Sequence, residues 1–238
     1  MNIVISGYGK MGSEVEKAAL AKGDQITAKV DCREDWDIFL PDIKKADAII
    51  DFSEPGVAVD IIVQSFELNI PIITGTTGWY DKLDYVTEIC NEKKGTLFYA
   101  PNFSIGVNVF FKVNEVLARL MNNIEGYRIK LKETHHIHKL DKPSGTAIKA
   151  GEDIIKNNDL LNNWVNHTSK KLSELSIISK RKGEVTGTHK VSYKSAVDEI
   201  ELIHKAKNRS GFALGALLAA EFVKNKQGVF TMEDLLKY

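Results

Sequence analysis

The 238-residue chain predicts an α/β protein with two parts. The first is a Rossmann-type, doubly wound parallel sheet, and the second is an α+β domain built on a mixed sheet. Three observations lead there. A short apolar strand runs straight into a glycine-rich turn at the N-terminus. Short apolar strands then alternate with helical segments. After residue 126 the rhythm changes to strands that follow one another with little helix between them. Alternation of the first kind implies a parallel sheet covered on both faces, and succession of the second kind implies a sheet with one covered face.

Asn2 to Ser6 (NIVIS) is the first strand and leads into Gly7-Tyr8-Gly9-Lys10-Met11-Gly12. A helix follows, with Val15, Ala18, Ala19 and Ala21 spaced along one face. The glycines fit a dinucleotide loop: Gly7 for the tight turn, Gly9 for approach to a pyrophosphate, and Gly12 for close packing of helix on strand. The second strand, Gln25 to Val30, ends at Asp31, an acid placed to accept hydrogen bonds from a ribose. Ala46 to Phe52 reads as a buried strand. Ser53 is expected to cap a helix that has Glu54 and Pro55 in its first turn and runs through Phe66. Ile70 to Thr74 is the next strand, followed by Gly75-Thr76-Thr77-Gly78, a helix from Tyr80 to Lys93 and a strand at Thr96 to Ala100. Ligands of such sheets sit at the carboxyl ends of the strands. Gly7 to Gly12, Gly75 to Thr77, and Ala100-Pro101-Asn102-Phe103 all fall there and are the expected borders of one dinucleotide.

The second part begins with a helix at Val107 to Met121. From Tyr127 to Glu133 the residues alternate, with Tyr127, Ile129 and Leu131 facing one way and Arg128, Lys130 and Lys132 the other, a solvated face. Strands are expected at Leu175 to Lys180, Val185 to Tyr193 and Glu199 to Ala206, with a crossover helix over Leu140 to Lys156. Leu160 to Lys171 is polar and reads as a loop or short irregular helix. A C-terminal helix, Phe212 to Val223, returns to the first domain. The expected domains are therefore 1–105 plus 209–238 for the dinucleotide, and 106–208 for substrate and oligomerisation. The double crossing would act as a hinge beside a substrate cleft.

Composition excludes several classes. Thirty-two basic residues balance 32 acidic ones, so no broad field draws the protein to nucleic acid or membranes. Cys32 and Cys90 lack metal-ribbon or disulfide spacing and imply reduced thiols in a cytoplasmic protein. No apolar run is long enough to span a bilayer, and no signal-peptide pattern opens the sequence.

The densest chemistry lies in Glu133 to Ala147, ETHHIHKLDKPSGTA. His135, His136, His138 and Lys139 precede Pro143-Ser144-Gly145-Thr146, a helix start that Ser144 or Thr146 can cap. A helix N-terminus offers free backbone N–H groups and partial positive charge to a carboxylate. Proton donors beside an anion cradle suit an enzyme acting on a small acidic substrate. The histidines lack the helical i, i+4 spacing of a zinc protease, so no metal is expected. His138 reads as structural. His167, His189 and His204 read as surface or packing residues, and Arg181, Lys182 and Arg209 as solvated or paired cations.

These motifs together resemble the dihydrodipicolinate reductase family. The resemblance is carried by the GKMG of the first loop, Asp51-Phe52-Ser53 with Pro55, and TGTTG at Thr74 to Gly78. It continues through Ala100 to Val109 (APNFSIGVNV), the ETHHIHKLDKPSGTA block, Gly187-Thr188-His189, and His204-Lys205-Ala206 with Arg209. The resemblance implies reduction of an unsaturated cyclic imine dicarboxylate by NADH or NADPH in diaminopimelate and lysine biosynthesis. It implies His135 as proton donor, Lys139 as second catalytic group, His136 as substrate ligand, and Ser144, Gly145 and Thr146 as holders of a carboxylate. It also implies a homotetramer formed through the second-domain sheets. Two departures bear on the cofactor. Many relatives carry one more residue in the first loop, and Cys32 stands where a basic residue often follows the acid. Asp31 would repel a 2′-phosphate that Lys10 and Arg33 would attract, and on balance the corner favours NADH with NADPH tolerated.

Two other readings compete: another two-domain amino-acid or semialdehyde dehydrogenase, and a non-catalytic NAD(P)H binder. The first leaves the PSGTA block and its histidines unexplained, and the second does not require His135 and Lys139. If Asp31 contacts the ribose, Asp31→Ala weakens NADH more than NADPH in fluorescence titrations; equal losses would remove it from the ribose site.

Overall fold

The computed structural model describes residues 1–237, which form two compact units. One holds Met1–Ile105 and the segment from Arg209 onward, and the other holds Gly106–Asn208.

In the first unit, β1 (Asn2–Ser6), α1 (Lys10–Lys22) and β2 (Gln25–Val30) are followed by two short helices, α2 (Arg33–Ile38) and α3 (Leu40–Ile43). Then come β3 (Ala48–Asp51), α4 (Pro55–Glu67), β4 (Ile72–Thr74), a 3-10 turn at Tyr80–Lys82, α5 (Leu83–Glu92) and β5 (Thr96–Tyr99). The second unit contains most of α6 (Ile105–Leu120), then β6 (Arg128–His135), α7 (Gly145–Lys156), β7 (Asn163–Val165), β8 (Glu174–Arg181), β9 (Gly187–Lys194) and β10 (Glu199–Ala206). The chain returns to the first unit with α8 (Ser210–Phe222), β11 (Gly228–Phe230) and α9 (Met232–Leu236).

The first sheet has the order β11-β5-β4-β3-β1-β2 and is parallel throughout. Apolar clusters lie on both of its faces. Ile3, Ile5, Ile50 and Phe98 pack with Ala216 and Leu217 of α8, while Val4, Ile49, Ile72 and Leu97 pack with Ile62 and Phe66 of α4. Strands buried on both faces are the physical reason for their unbroken apolar runs. Strand order reverses between β1 and β3, so the carboxyl ends of these strands open at the topological switch point.

The second sheet runs β10-β9-β6-β8-β7. β6 pairs antiparallel with β9 and parallel with β8, a mixed sheet. Leu131, Leu175, Ile177, Val191 and Tyr193 pack against Ala147, Ala150 and Ile154 of α7. The expected fold class is therefore observed.

Several local expectations change. Ser53 does not cap α4: its backbone N–H donates to Asp51 Oδ1 (3.2 Å) and its carbonyl accepts from Thr76 Oγ1 (3.1 Å), so Glu54 takes the cap position. The crossover helix begins at Gly145 rather than Leu140, because Ser144 caps it directly after Pro143. Within Leu160 to Lys171, Asn163–Val165 forms an edge strand because β8 offers it a free parallel edge. The short elements α2, α3, β11 and α9 had no strong sequence pattern of their own.

The carboxyl ends of β3 and β4 are joined by a buried carboxylate. Asp51 Oδ2 accepts from Thr74 Oγ1 (2.7 Å) and Thr76 Oγ1 (3.0 Å), and Asp51 is fully buried. Asp51→Ala removes the acceptor of the Thr74 hydroxyl and leaves Thr76 with the Ser53 carbonyl alone, and should lower unfolding free energy by about 1–3 kcal/mol. Guanidinium titration of the variant against wild type measures this, and an unchanged midpoint would show that the network contributes nothing.

Candidate active site

The Gly7 to Gly12 loop is shaped by the absence of side chains. Gly7 has a φ of +79°, and a Cβ there would lie 2.5 Å from the Phe52 carbonyl and the Ser53 nitrogen. A Cβ on Gly12 would lie 2.5 Å from the Gly7 oxygen. Gly9, in contrast, has nothing within 4 Å of its Cβ position, so its backbone stays open to a phosphate. Tyr8 is tied down, its N–H donating to Asp31 Oδ1 (2.8 Å) and its hydroxyl meeting Glu16. Lys10 is exposed and Met11 half-buried at the start of α1.

Asp31 lies on the rim of a cavity of about 380 Å³ lined also by Ser6, Gly7, Cys32, Arg33 and Trp36. The Asp35 carboxylate accepts from the Asp31 and Cys32 N–H groups (2.8 and 3.1 Å), which fixes the turn after β2. Gly75-Thr76-Thr77 follows β4, with Thr76 buried and Thr77 exposed. Ala100 to Phe103 follows β5, where buried Phe103 packs against Phe52 and Phe98 and Asn102 Oδ1 accepts from the Ser104 N–H (2.9 Å). All three loops leave the same edge of one parallel sheet. This glycine cradle, with a carboxylate and a cavity beside it, fits an adenine dinucleotide.

The histidine block is arranged differently from a simple strand. β6 extends to His135, so Leu131, Glu133 and His135 share the buried face. His136 and His138 fall in the turn beyond it, and the strand alternation no longer governs them; their rings lie 5.8 Å apart. His138 is exposed, 3.1 Å from Glu184.

Glu133 was missed by sequence reasoning. It is fully buried, one oxygen accepts from His135 Nδ1, and the other accepts from Arg181 Nη1 (2.9 Å). Burial alone would push its pKa up, but hydrogen bonds from His135, Arg181 and Ser179 outweigh this and bring it to about 2. Arg181, expected to be solvated or in an ordinary ion pair, is nearly buried in this one.

His189 is also more than a packing residue. It pairs with Glu133 across β9 and β6, its ring lies 5.1 Å from that of His135, and its Nε2 is 3.2 Å from Ser144 Oγ. Burial, reinforced by the neighbouring His135 imidazole, pushes its pKa down to about 3. The only sequence signal for it was the Gly187-Thr188-His189 motif.

Ser144 Oγ accepts from the Ala147 N–H (3.3 Å) and caps α7, so His135, His189 and the cap form one connected group. Gly145 and Thr146 occupy the first helical positions, exposed and half-buried respectively. Lys139 Nζ lies 2.8 Å from Asp141 Oδ1. Burial opposes the charge on Asp141, yet the Lys139 ammonium holds that carboxyl below its usual range. Polar atoms of Glu133, His135 and His189 lie within 4.8 Å of one another, near enough to hold an ion. Both Glu133 oxygens are already engaged, one by a guanidinium, which disfavours a cation there.

Residues 1–103 match the dihydrodipicolinate reductase N-terminal family and residues 106–236 its C-terminal family. The chain belongs to the dihydrodipicolinate reductase family. It is 43% identical over 238 residues to a 4-hydroxy-tetrahydrodipicolinate reductase of Christiangramia forsetii, covering 99% of this chain and 98% of the relative. A protein of the same name from Neisseria meningitidis is 36% identical over 82% of this chain and 74% of its own length. Among solved structures, a dipicolinate-bound dihydrodipicolinate reductase from Paenisporosarcina sp. TG-14 superposes with a TM-score of 0.76 at 20% identity, covering 97% of each chain. A myo-inositol dehydrogenase from Corynebacterium glutamicum shares the fold at TM-score 0.56 and 13% identity, over 96% of this chain and 90% of that one. In this family the N-terminal Rossmann-type domain binds NADH or NADPH, and no helix among the described residues is long and apolar enough to cross a membrane.

The buried groups set a pH dependence. His189 titrates at about 3 instead of 6.5, and Glu133 at about 2 instead of 4.5. In both cases the unfolded chain takes up protons first, so stability falls as pH drops through these windows. Burial is the main cause for His189; His135, His204 and Lys139 push its pKa the same way, and Glu133 opposes them. Replacing His189 with Asn should flatten the loss of thermal stability below pH 6.5. An unchanged slope would show that His189 is not held neutral.

Proposed function

We propose that the protein reduces 4-hydroxy-tetrahydrodipicolinate to tetrahydrodipicolinate with loss of water, in diaminopimelate and lysine biosynthesis. Family membership over both halves of the chain supports the reaction. The observation that carries the mechanism is the buried Glu133–His135 pair joined through His189 to the capped start of α7.

When bound, the reduced nicotinamide supplies the hydride to the cyclic imine left as the substrate hydroxyl departs as water. His135 delivers the accompanying proton. Its Nδ1 faces Glu133, which leaves Nε2 as the donating atom and stabilises the imidazolium before transfer. Lys139 sets a positive charge against the dianionic substrate and stabilises negative charge as it develops. The first amides of α7, at Gly145 and Thr146, and the Ser144 and Thr146 hydroxyls hold a carboxylate, with His136 as a further ligand. On the nucleotide side, Gly7 to Gly12, Gly75 to Thr77 and Ala100 to Phe103 border the cofactor. Asp31 and the uncharged Cys32 position favour NADH over NADPH.

A homotetramer in the cytoplasm completes the reading. Support for assembly comes from the second sheet: α7 covers one face, while the other carries Lys132 and the Lys190–Glu201 pair.

The test couples pyruvate and aspartate semialdehyde through the preceding synthase and follows oxidation of NADH and NADPH. Turnover that disappears without the synthase is expected. His135→Gln should bind NADH normally and lose roughly a hundred- to ten-thousand-fold in kcat. Lys139→Ala should lower kcat as well. Near-normal turnover by the His135 variant would remove it as the donor, and a rise in KM alone would make Lys139 a binding residue.

A further inference from the structure

Arg181 ends β8 and is paired in register with His135 on β6. Four of its five N–H donors are engaged, by one carboxylate and three backbone carbonyls. Nη1 donates to Glu133 Oε1 (2.9 Å) and to the Lys180 carbonyl (2.7 Å). Nε donates to the Lys139 carbonyl (3.1 Å), and Nη2 donates to the Asp141 carbonyl. One planar side chain therefore grips the carboxylate that holds His135 and the backbone on both sides of Leu140.

We propose that Arg181 and Glu133 form a positioning pair that holds the proton donor His135 and Lys139 in one fixed frame. The proposal rests on the reading that His135 donates the proton. Neither member of the pair meets the reacting atoms.

A carboxylate only accepts, so Glu133 fixes the proton on Nδ1 of the neutral imidazole and leaves Nε2 as the ring nitrogen free for transfer. The Nε2 side is bounded by bare backbone: a Cβ at Gly187 would stand 3.0 Å from Nε2, a crowding that a ring anchored by Glu133 has little freedom to relieve. The Lys139 segment lies between β6 and α7 without regular structure. It is anchored by the two Arg181 bonds to its carbonyls and by the Ile137 N–H on the Gly183 carbonyl (3.1 Å). A lysine at 181 has a single ammonium and no planar fork, so it cannot reproduce the bridge. The ion pair also keeps Glu133 ionised, its pKa near 2, so its acceptor role persists at neutral pH.

The experiment measures kcat, KM and NADH affinity for Glu133→Gln and Arg181→Lys, each alone and in the His135→Gln background. Expected are losses in kcat of about tenfold or more for each single variant, with NADH affinity kept. Both losses should shrink once His135 is gone, that of Glu133→Gln toward nothing and that of Arg181→Lys to the part that acts through the Lys139 segment. Wild-type kcat in both single variants, or equal losses with and without His135, would overturn the proposal. If His135→Gln itself stays active, the proton-donor reading fails instead, and the two failures are separable. The unmodified protein supplies a second test that needs no variant to fold. In ¹⁵N spectra of the imidazoles, the neutral His135 ring should carry its proton on Nδ1, and a proton on Nε2 would overturn the proposal.

Discussion

A carboxylate with no exposed surface, at the centre of a five-stranded sheet, constrains everything around it. Glu133 can remain ionised there only if its charge is met by partners of good geometry, because the interior supplies no water. Two positions along the same strand, His135 provides one partner, and the parallel neighbour β8 provides Arg181. The antiparallel neighbour β9 brings His189 opposite Glu133. Each strand pairing thus serves the site as well as the sheet. A slip of one residue in β6 would turn Glu133 and His135 to the opposite face and separate them from all of these partners.

The first unit answers a problem of room rather than of charge. Side chains at Gly7 or Gly12 would collide with neighbouring backbone, so the first loop can close on its helix only with glycine there. The buried Asp51 then ties the ends of β3 and β4 together through two threonine hydroxyls, which gives the Gly75 to Thr77 loop a fixed base. A preorganised backbone of this kind binds without the entropic penalty of ordering a flexible loop.

Much of this was legible beforehand where a residue's role follows from local chemistry. The unbroken apolar strands announced a sheet covered on both sides, the glycine spacing announced the first loop, and Ser144 announced a cap. Other short elements, such as α2, β7 and β11, were not legible, since no apolar run or period of their own sets them apart. β7 and β11 exist because β8 and β5 present free edges. Ser53 looked like a cap, but Asp51 and Thr76 bind its backbone and Glu54 takes the position.

The sequence alone determined the class of fold, the glycine turn after the first strand and the segment that carries the histidines, because period, glycine placement and helix capping act over a few residues. Tertiary structure alone decided which groups stand around His135. Glu133 sat inside an alternating strand, Arg181 lay 48 residues away among ordinary cations, and His189 looked like packing. Their meeting depends on strand register and burial. Only burial turns an ordinary surface ion pair into one that must be satisfied.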